Sequence, residues 1–265
     1  MKMILPPNWD EADKDNGRLV KKFGKYTYKS KSAELLYRMY IPEDNTLALL
    51  PLVIYLHGAD AAGDDNELQL SMHDIGTCRV KENAQKEHPC YILAPQYGEM
   101  KHWTMKEIKS ALWELIDYIS ERYGNIDKGR IYIYGYSAGG VGVLKLIKER
   151  PDFFAAAISI CAATGGTQMD NIRSTHLWMV HAEDDTIVKA SYKNTMGSMG
   201  YLGSRDIYDK YGKEGDGTGE LRYTEYAKGY MMEKYGVHPH CSWVAVSDPL
   251  NTQIWEWLFS KRIGE

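Results

Sequence analysis

Residues 130–140, Arg-Ile-Tyr-Ile-Tyr-Gly-Tyr-Ser-Ala-Gly-Gly, constrain the fold of this chain more than any other segment. A β-branched and aromatic run, of the kind that packs well in a strand, stops at Gly135. A helix-compatible stretch, Val141 to Glu149, begins directly after the glycines. Ser137 therefore stands at the apex of a strand that turns sharply into a helix. Gly135 and Gly139 flank it where the two backbones come too close for side chains, and the turn holds Ser137 strained with its hydroxyl exposed. Gly-x-Ser-x-Gly alone is short enough to arise by chance. The strand before it and the helix after it give it meaning.

The rest of the chain supplies a matching sheet. Leu52–Leu56, Tyr91–Ala94, Ile131–Tyr134, Ala156–Ile160 and Leu177–Val180 are continuous apolar runs, as expected of strands buried on both faces. Lys25–Lys29 and Leu35–Ile41 alternate apolar with polar residues, which predicts a half-exposed antiparallel hairpin at a sheet edge. Between the strands, Ile108 to Tyr123 places Ile108, Leu112, Leu115, Ile116 and Ile119 on one helical face. Thr104 and Glu107 ahead of it have capping-box spacing. Lys189–Met199 and Asn251–Phe259 are further helix candidates. Alternating strands and helices imply an α/β fold with a mostly parallel central sheet, helices on both faces and an N-terminal antiparallel hairpin. A serine at a strand-to-helix apex on such a sheet is the nucleophile elbow of the α/β-hydrolase fold.

A length of 265 residues suits a single domain spanning 1–265. Residues 1–24, polar and punctuated by Pro and Gly, predict an irregular N-terminal arm. Residues 200–237 are rich in Gly, Tyr and charge and predict a loop insertion ahead of His238 and His240, with a last strand at Leu221–Tyr226. A net charge of −4 without a basic block argues against a nucleic-acid or anionic-membrane surface. The prolines at positions 6 and 7 break an N-terminal apolar run too short for a signal peptide, so a cytoplasmic location is expected, with secretion not excluded. Cys78, Cys90, Cys161 and Cys241 are scattered and read as reduced thiols. Aromatic usage is skewed, with 20 Tyr and 7 Trp against 4 Phe, and is expected to serve as half-buried strand packing or a ligand groove.

A serine hydroxyl is a weak nucleophile until a base takes its proton, and the base needs an orienting acid. In this fold the partners follow in the order serine, acid, histidine. After Ser137 the acid belongs just past a later strand, where Leu177–Val180 leads into His181-Ala182-Glu183-Asp184-Asp185. Asp185 is preferred over Asp184 and Glu183. The base must come later still, from His238 or His240. His181 precedes the acid and is expected to pack structurally; His73, His88, His102 and His176 are expected at surface or structural positions. The oxyanion needs donors already in place. The backbone N–H of Ala138 is one, and the N–H of Ala59, in the loop after the first buried strand, is the other.

These motifs carry a resemblance. Tyr55–Ala59, Gly63–Glu67, Ile92–Gln96 and Trp103–Thr104 resemble the esterase and peptidase branch of the α/β-hydrolases, allied to feruloyl esterases and polyhydroxybutyrate depolymerases. The pattern continues through Arg130–Gly140, the His-x-Glu-x-Asp of His181–Asp185 and the His-x-x-Trp of His240–Trp243, covering roughly residues 50 to 260. The resemblance implies Asp185 as acid and His240 as base. The chain departs from it at Asp60-Ala61-Ala62, where the branch often has Gly-Glu-Arg, and at Ala182, Thr186 and Pro239.

The expected activity is that of a serine carboxylesterase acting without cofactor or metal on a small-molecule or saccharide-linked ester. Feruloyl or acetyl esters of plant polysaccharide, or peptides, are the alternatives, although no added propeller or gating domain is visible. Trp103, Tyr136 and Trp243 adjoin catalytic segments and are expected as pocket walls. Competing classes are a binding module that has lost turnover and a metal-dependent hydrolase built on His238 and His240, for which no third ligand stands at suitable spacing. Oligomeric state is left open.

Overall fold

The computed structural model describes residues 16–43, 49–165, 172, 174–193, 200–212 and 219–264. Its strands are β1 (Gly24–Lys29), β2 (Glu34–Tyr40), β3 (Leu50–Leu56), β4 (Tyr91–Gln96), β5 (Ile126–Tyr136), β6 (Ala156–Ile160), β7 (Ala163–Gly165), β8 (His176–Ala182), β9 (Tyr201–Gly203) and β10 (Leu221–Tyr226). Eight of them form one sheet in the order β1-β2-β4-β3-β5-β6-β8-β10, and β7 pairs with β9 apart from it. β1 and β2 are antiparallel, β2 meets β4 antiparallel, and every pairing from β4 to β10 is parallel. The α/β-hydrolase fold expected from the apolar runs is the fold observed.

Strand alternation sorts the core into two layers. Leu52, Ile54 and Leu56 of β3 join Ile131 and Ile133 of β5 on one face. Val53 and Tyr55 join Tyr132, Tyr134 and Tyr136 on the other. Because both faces are covered, the central strands read as unbroken apolar runs. The tyrosine surplus also has its explanation here. Tyr55, Tyr132, Tyr134 and Tyr136 are buried rather than half-buried. Tyr132 donates to the Lys261 carbonyl at 2.7 Å and Tyr134 to the Ile75 carbonyl at 2.9 Å, so each ring fills core volume while its polar tip is satisfied.

Besides a helical stretch at residues 16–20, the helices among the described residues are α1 (Leu68–Ser71), α2 (Glu82–Glu87), α3 (Lys106–Arg122), α4 (Ala138–Glu149), α5 (Ser204–Tyr211), α6 (Tyr230–Tyr235), α7 (Trp243–Ser247) and α8 (Gln253–Phe259). α3 buries Ile108, Leu112, Leu115, Ile116 and Ile119, the face expected from periodicity. Its capping box does not form. Met105 is the cap residue without a side-chain bond, and the Thr104 hydroxyl instead meets Nδ1 of His102 at 3.0 Å.

Three expectations need correction. The described part of the N-terminal arm is ordered core: residues 16–20 are helical and Leu19, Val20 and Phe23 are buried. The Asn16 amide ties that segment down by donating to the Leu70 carbonyl at 3.0 Å. Residues 1–15 lie outside the described residues. The segment 200–237 is not a loop insertion. Besides the edge strand β10, which stands at Leu221–Tyr226 as expected, it holds β9, α5 and α6, while residues 213–218 lie outside the described residues. Residues 189–193 are not helical, because the Asp206 carboxylate takes the Ser191 hydroxyl at 2.6 Å and the Tyr192 N–H at 2.7 Å; residues 194–199 again lie outside the described residues.

Candidate active site

The loops that carry the expected chemistry all leave the carboxyl edge of the sheet, where α/β sheets place their ligands. Leu56 and Gly135 are paired neighbours in adjacent strands, so the His57–Ala59 loop and the Ser137 turn start side by side. A Cβ on Gly135 would stand 2.7 Å from the Leu56 carbonyl oxygen, and one on Gly139 would collide with that same carbonyl. Side chains are therefore excluded at both flanking positions. Ser137 itself has φ 52° and ψ −118°. A non-glycine residue in that region costs on the order of 1–3 kcal/mol, and here it turns the side chain out at the start of α4. The Ser137 N–H donates to the Ile160 carbonyl at 2.9 Å, which anchors the turn to the next strand.

His240 lies in a short 3-10 turn, Pro239–Cys241, opened by proline and capped by His238. The His238 Nδ1 accepts the His240 N–H at 3.0 Å, and its Nε2 lies 3.2 Å from the Thr186 hydroxyl. The His240 ring is 4% exposed and both its nitrogens are engaged. Nδ1–H donates to Asp185 Oδ2 at 2.7 Å, which leaves Nε2 to accept from the Ser137 hydroxyl at 3.0 Å.

Asp185 sits in the turn after β8 with every carboxylate lone pair directed at a donor. Its Oδ1 accepts the N–H groups of Ile187 and Val188 at 2.8 and 3.0 Å. Its Oδ2 takes His240 and also His181, whose Nε2 is 3.2 Å away. Burial pushes the Asp185 carboxyl upward, but the hydrogen bonds and charges of His181 and His240 outweigh it and hold the group well below the usual carboxylate range. Asp184 faces elsewhere and accepts the Gly229 N–H at 2.9 Å, and Glu183 is exposed near Lys228 and Arg205. Of the three acids, Asp185 alone meets His240.

His181 does more than pack. It is buried, and its Nε2 also lies 2.8 Å from the Val188 carbonyl, which can only accept, so that nitrogen carries a proton toward both Val188 and Asp185. Nδ1 meets the Ser204 hydroxyl at 2.9 Å. The His-x-x-x-Asp spacing was a signal for this contact.

Ala59 opens a 3-10 turn, Ala59–Ala61, and Ala138 opens α4. First-turn amides have no acceptor within their own helix, so both N–H groups are available to an external oxygen. The His57 ring donates Nδ1–H to the Gly58 carbonyl at 2.6 Å. Burial pushes His57 down to about 4, which keeps it neutral.

The three expected pocket walls are corrected: Trp103, Tyr136 and Trp243 are 1%, 1% and 2% exposed. Trp103 donates its indole N–H to the His57 carbonyl at 2.9 Å and stacks edge-on to Tyr97. Trp243 lies edge-on to His240, with ring centres 5.7 Å apart. These rings lie under the catalytic loops and not along an open wall.

Residues 96–199 match the prolyl oligopeptidase family of peptidases. No curated protein matches the chain. Among solved structures, a thermostable esterase is 34% identical over 92% of this chain and 64% of that one, with a TM-score of 0.81. This chain thus spans less than two thirds of that esterase. A ferulic acid esterase shares the fold at 15% identity, covering 90% of this chain and 98% of that one, with a TM-score of 0.61. So does the acylaminoacyl peptidase of Pyrococcus horikoshii, at 15% identity over 88% and 42% of the two chains and a TM-score of 0.51. The chain has the α/β-hydrolase fold, and the proteins it is similar to include esterases and serine peptidases.

Proposed function

We propose that this protein is a serine carboxylesterase with Ser137 as nucleophile, His240 as general base and Asp185 as orienting acid. The observation that carries this reading is the continuous hydrogen-bonded line from Ser137 Oγ through His240 to Asp185, at 3.0 and 2.7 Å. Ser137 Oγ attacks the ester carbonyl as Nε2 of His240 takes its proton, and Asp185 stabilises the imidazolium that forms. The carbonyl oxygen becomes an oxyanion, held by the N–H groups of Ala59 and Ala138. Collapse expels the alcohol, which leaves with the proton from His240. Water then attacks the acyl-enzyme by the same route and releases the acid.

Similarity to a thermostable esterase over most of this chain favours ester cleavage. The match of residues 96–199 to a peptidase family favours a second reading, cleavage of peptide amides by the same groups. The case for hydroxycinnamoyl esters weakens, because the aromatic residues expected to hold them are buried. A panel of short nitrophenyl esters, methyl ferulate, acetylated xylan and peptide amides distinguishes these substrates. The expected result is turnover highest on small esters and abolished by Ser137→Ala. Amide cleavage faster than ester cleavage would replace the first reading with the second.

A further inference from the structure

Next to Ala59 in the chain, Asp60 anchors a polar cluster that the reaction above does not use. Asp60, the residue after the oxyanion donor, extends its carboxylate into a site built from two distant segments. Its Oδ1 accepts the Tyr136 hydroxyl at 2.8 Å. Its Oδ2 accepts Nε2–H of His73 at 2.6 Å. His73 is 3% exposed and stands edge-on to the Tyr136 ring, with centres 5.4 Å apart and planes at 82°. The same ring packs on Trp243 at 4.9 Å, and Trp243 packs on the catalytic-site imidazole of His240. Gly58 closes the arrangement, because a Cβ there would strike both the Tyr136 ring and the Asp60 carboxylate.

We infer that Asp60 is a positioning residue that sets the Ala59 N–H for the oxyanion, with Tyr136 and His73 as its two anchors. The inference rests on the serine-hydrolase reading above. A 3-10 turn of three residues, Ala59–Ala61, has little internal bonding to fix its first amide. The carboxylate of its middle residue supplies what the turn lacks. Tyr136 immediately precedes Ser137, so the hydroxyl that grips Asp60 belongs to the strand that presents the nucleophile. Nucleophile and oxyanion donor are thereby referred to one another through a single, partly buried bond. Burial keeps the Tyr136 hydroxyl protonated and therefore a donor, while the bonds from His73 and Tyr136 overcome burial to keep Asp60 ionised. The chemistry singles out Asp60 specifically: a carboxylate has acceptor sites on both oxygens, as two donors from opposite sides require.

The test compares Asp60→Ala, Asp60→Asn and Tyr136→Phe with the parent enzyme on a small ester. A trifluoromethyl ketone serves as probe of the tetrahedral state. Ser137 Oγ adds to its carbonyl carbon, the proton passes to His240 and the ketone oxygen becomes the oxyanion. Removing a whole oxyanion donor costs about 100- to 1,000-fold in kcat, so a mis-set donor is expected to cost about 10- to 100-fold in Asp60→Ala. KM should change little. Ketone affinity should fall in step with kcat/KM, while the end-point of phosphonate titration still counts a full complement of sites. Asp60→Asn should recover part of the loss, since an amide can accept from Tyr136 and donate to a His73 tautomer. Tyr136→Phe should lose less than Asp60→Ala. A Ser137-dependent enzyme whose Asp60→Ala and Tyr136→Phe forms keep kcat and ketone affinity within about twofold of the parent overturns the inference alone. Absence of any Ser137-dependent turnover in the parent overturns the serine-hydrolase reading instead. If Asp60→Ala does not fold, Asp60→Asn and Tyr136→Phe decide by the same ratios.

Discussion

Single residues divide the labour at the site according to which atoms they engage. Asp185 meets His240 while Asp184 holds Gly229, so the two acids predict different losses on amidation. Asp185→Asn keeps the shape but removes the charge that stabilises the imidazolium, and it is expected to lower kcat by at least about 1,000-fold. Asp184→Asn should leave kcat within about tenfold; steady-state kinetics on one ester separates them, and the reverse ranking would move the acid to Asp184. How far such residues were legible varied with the kind of signal. Ser137 was readable because glycines and a strand-to-helix change surround it. His240 could not be told from His238 by position, since both follow the last strand, and the family pattern decided. Trp103, Tyr136 and Trp243 misled because adjacency along the chain does not say where a side chain points. Strand alternation held the missing clue for Tyr136, which shares a face with Tyr132 and Tyr134. Nothing local links Asp60 to His73, which meet across irregular backbone.

At the level of elements, the crossing of β3, β5 and α4 leaves the least room for a side chain among the described glycines. Gly139 lies against the Leu56 carbonyl with no room for a methyl group. Gly139→Ala must therefore push α4 off the sheet, at a cost of about 1–3 kcal/mol of stability, and activity should fall further than stability because Ser137 moves with the helix. Thermal melting and kcat of the same variant check this; an unshifted Tm would contradict the close packing. The buried strands were legible because burial on both faces leaves an unbroken apolar run. The edge strand β10 was legible as well, at Leu221–Tyr226, although its residues are all only partly buried. The rest of 200–237 was not, because β9, α5 and α6 are three, eight and six residues long, too short to show a clear period in a polar sequence.

Over the whole molecule, ion pairs and hydrogen bonds tie the C-terminal segment and the loops to the sheet through carboxylates. Asp127 receives Arg130 and Arg262, joining the C-terminal segment to the start of β5. Glu220 receives Trp257, Lys261 and Arg222 and is held down to about 2 despite the opposing effect of burial. Asp60, Asp127 and Asp185 are likewise held below their usual values, by donors that outweigh burial. In the unfolded chain these groups titrate near 3.9 for Asp and 4.3 for Glu. Their folded values are lower, so their contribution to stability is complete above about pH 5 and is lost as the pH falls through the folded values. Tm should be flat with respect to these groups above about pH 5 and drop steeply below about pH 4. A Tm that holds steady down to about pH 3 would contradict the linkage.

The proposed reaction depends on Ser137 as a nucleophile activated by His240. Treating the protein with a serine-directed fluorophosphonate and mapping the adduct by peptide mass spectrometry tests it most directly. One adduct per chain is expected on Ser137, abolished by Ser137→Ala and slowed by at least about 1,000-fold in His240→Ala. A folded protein that stays unlabelled, or one labelled at another residue, would contradict it.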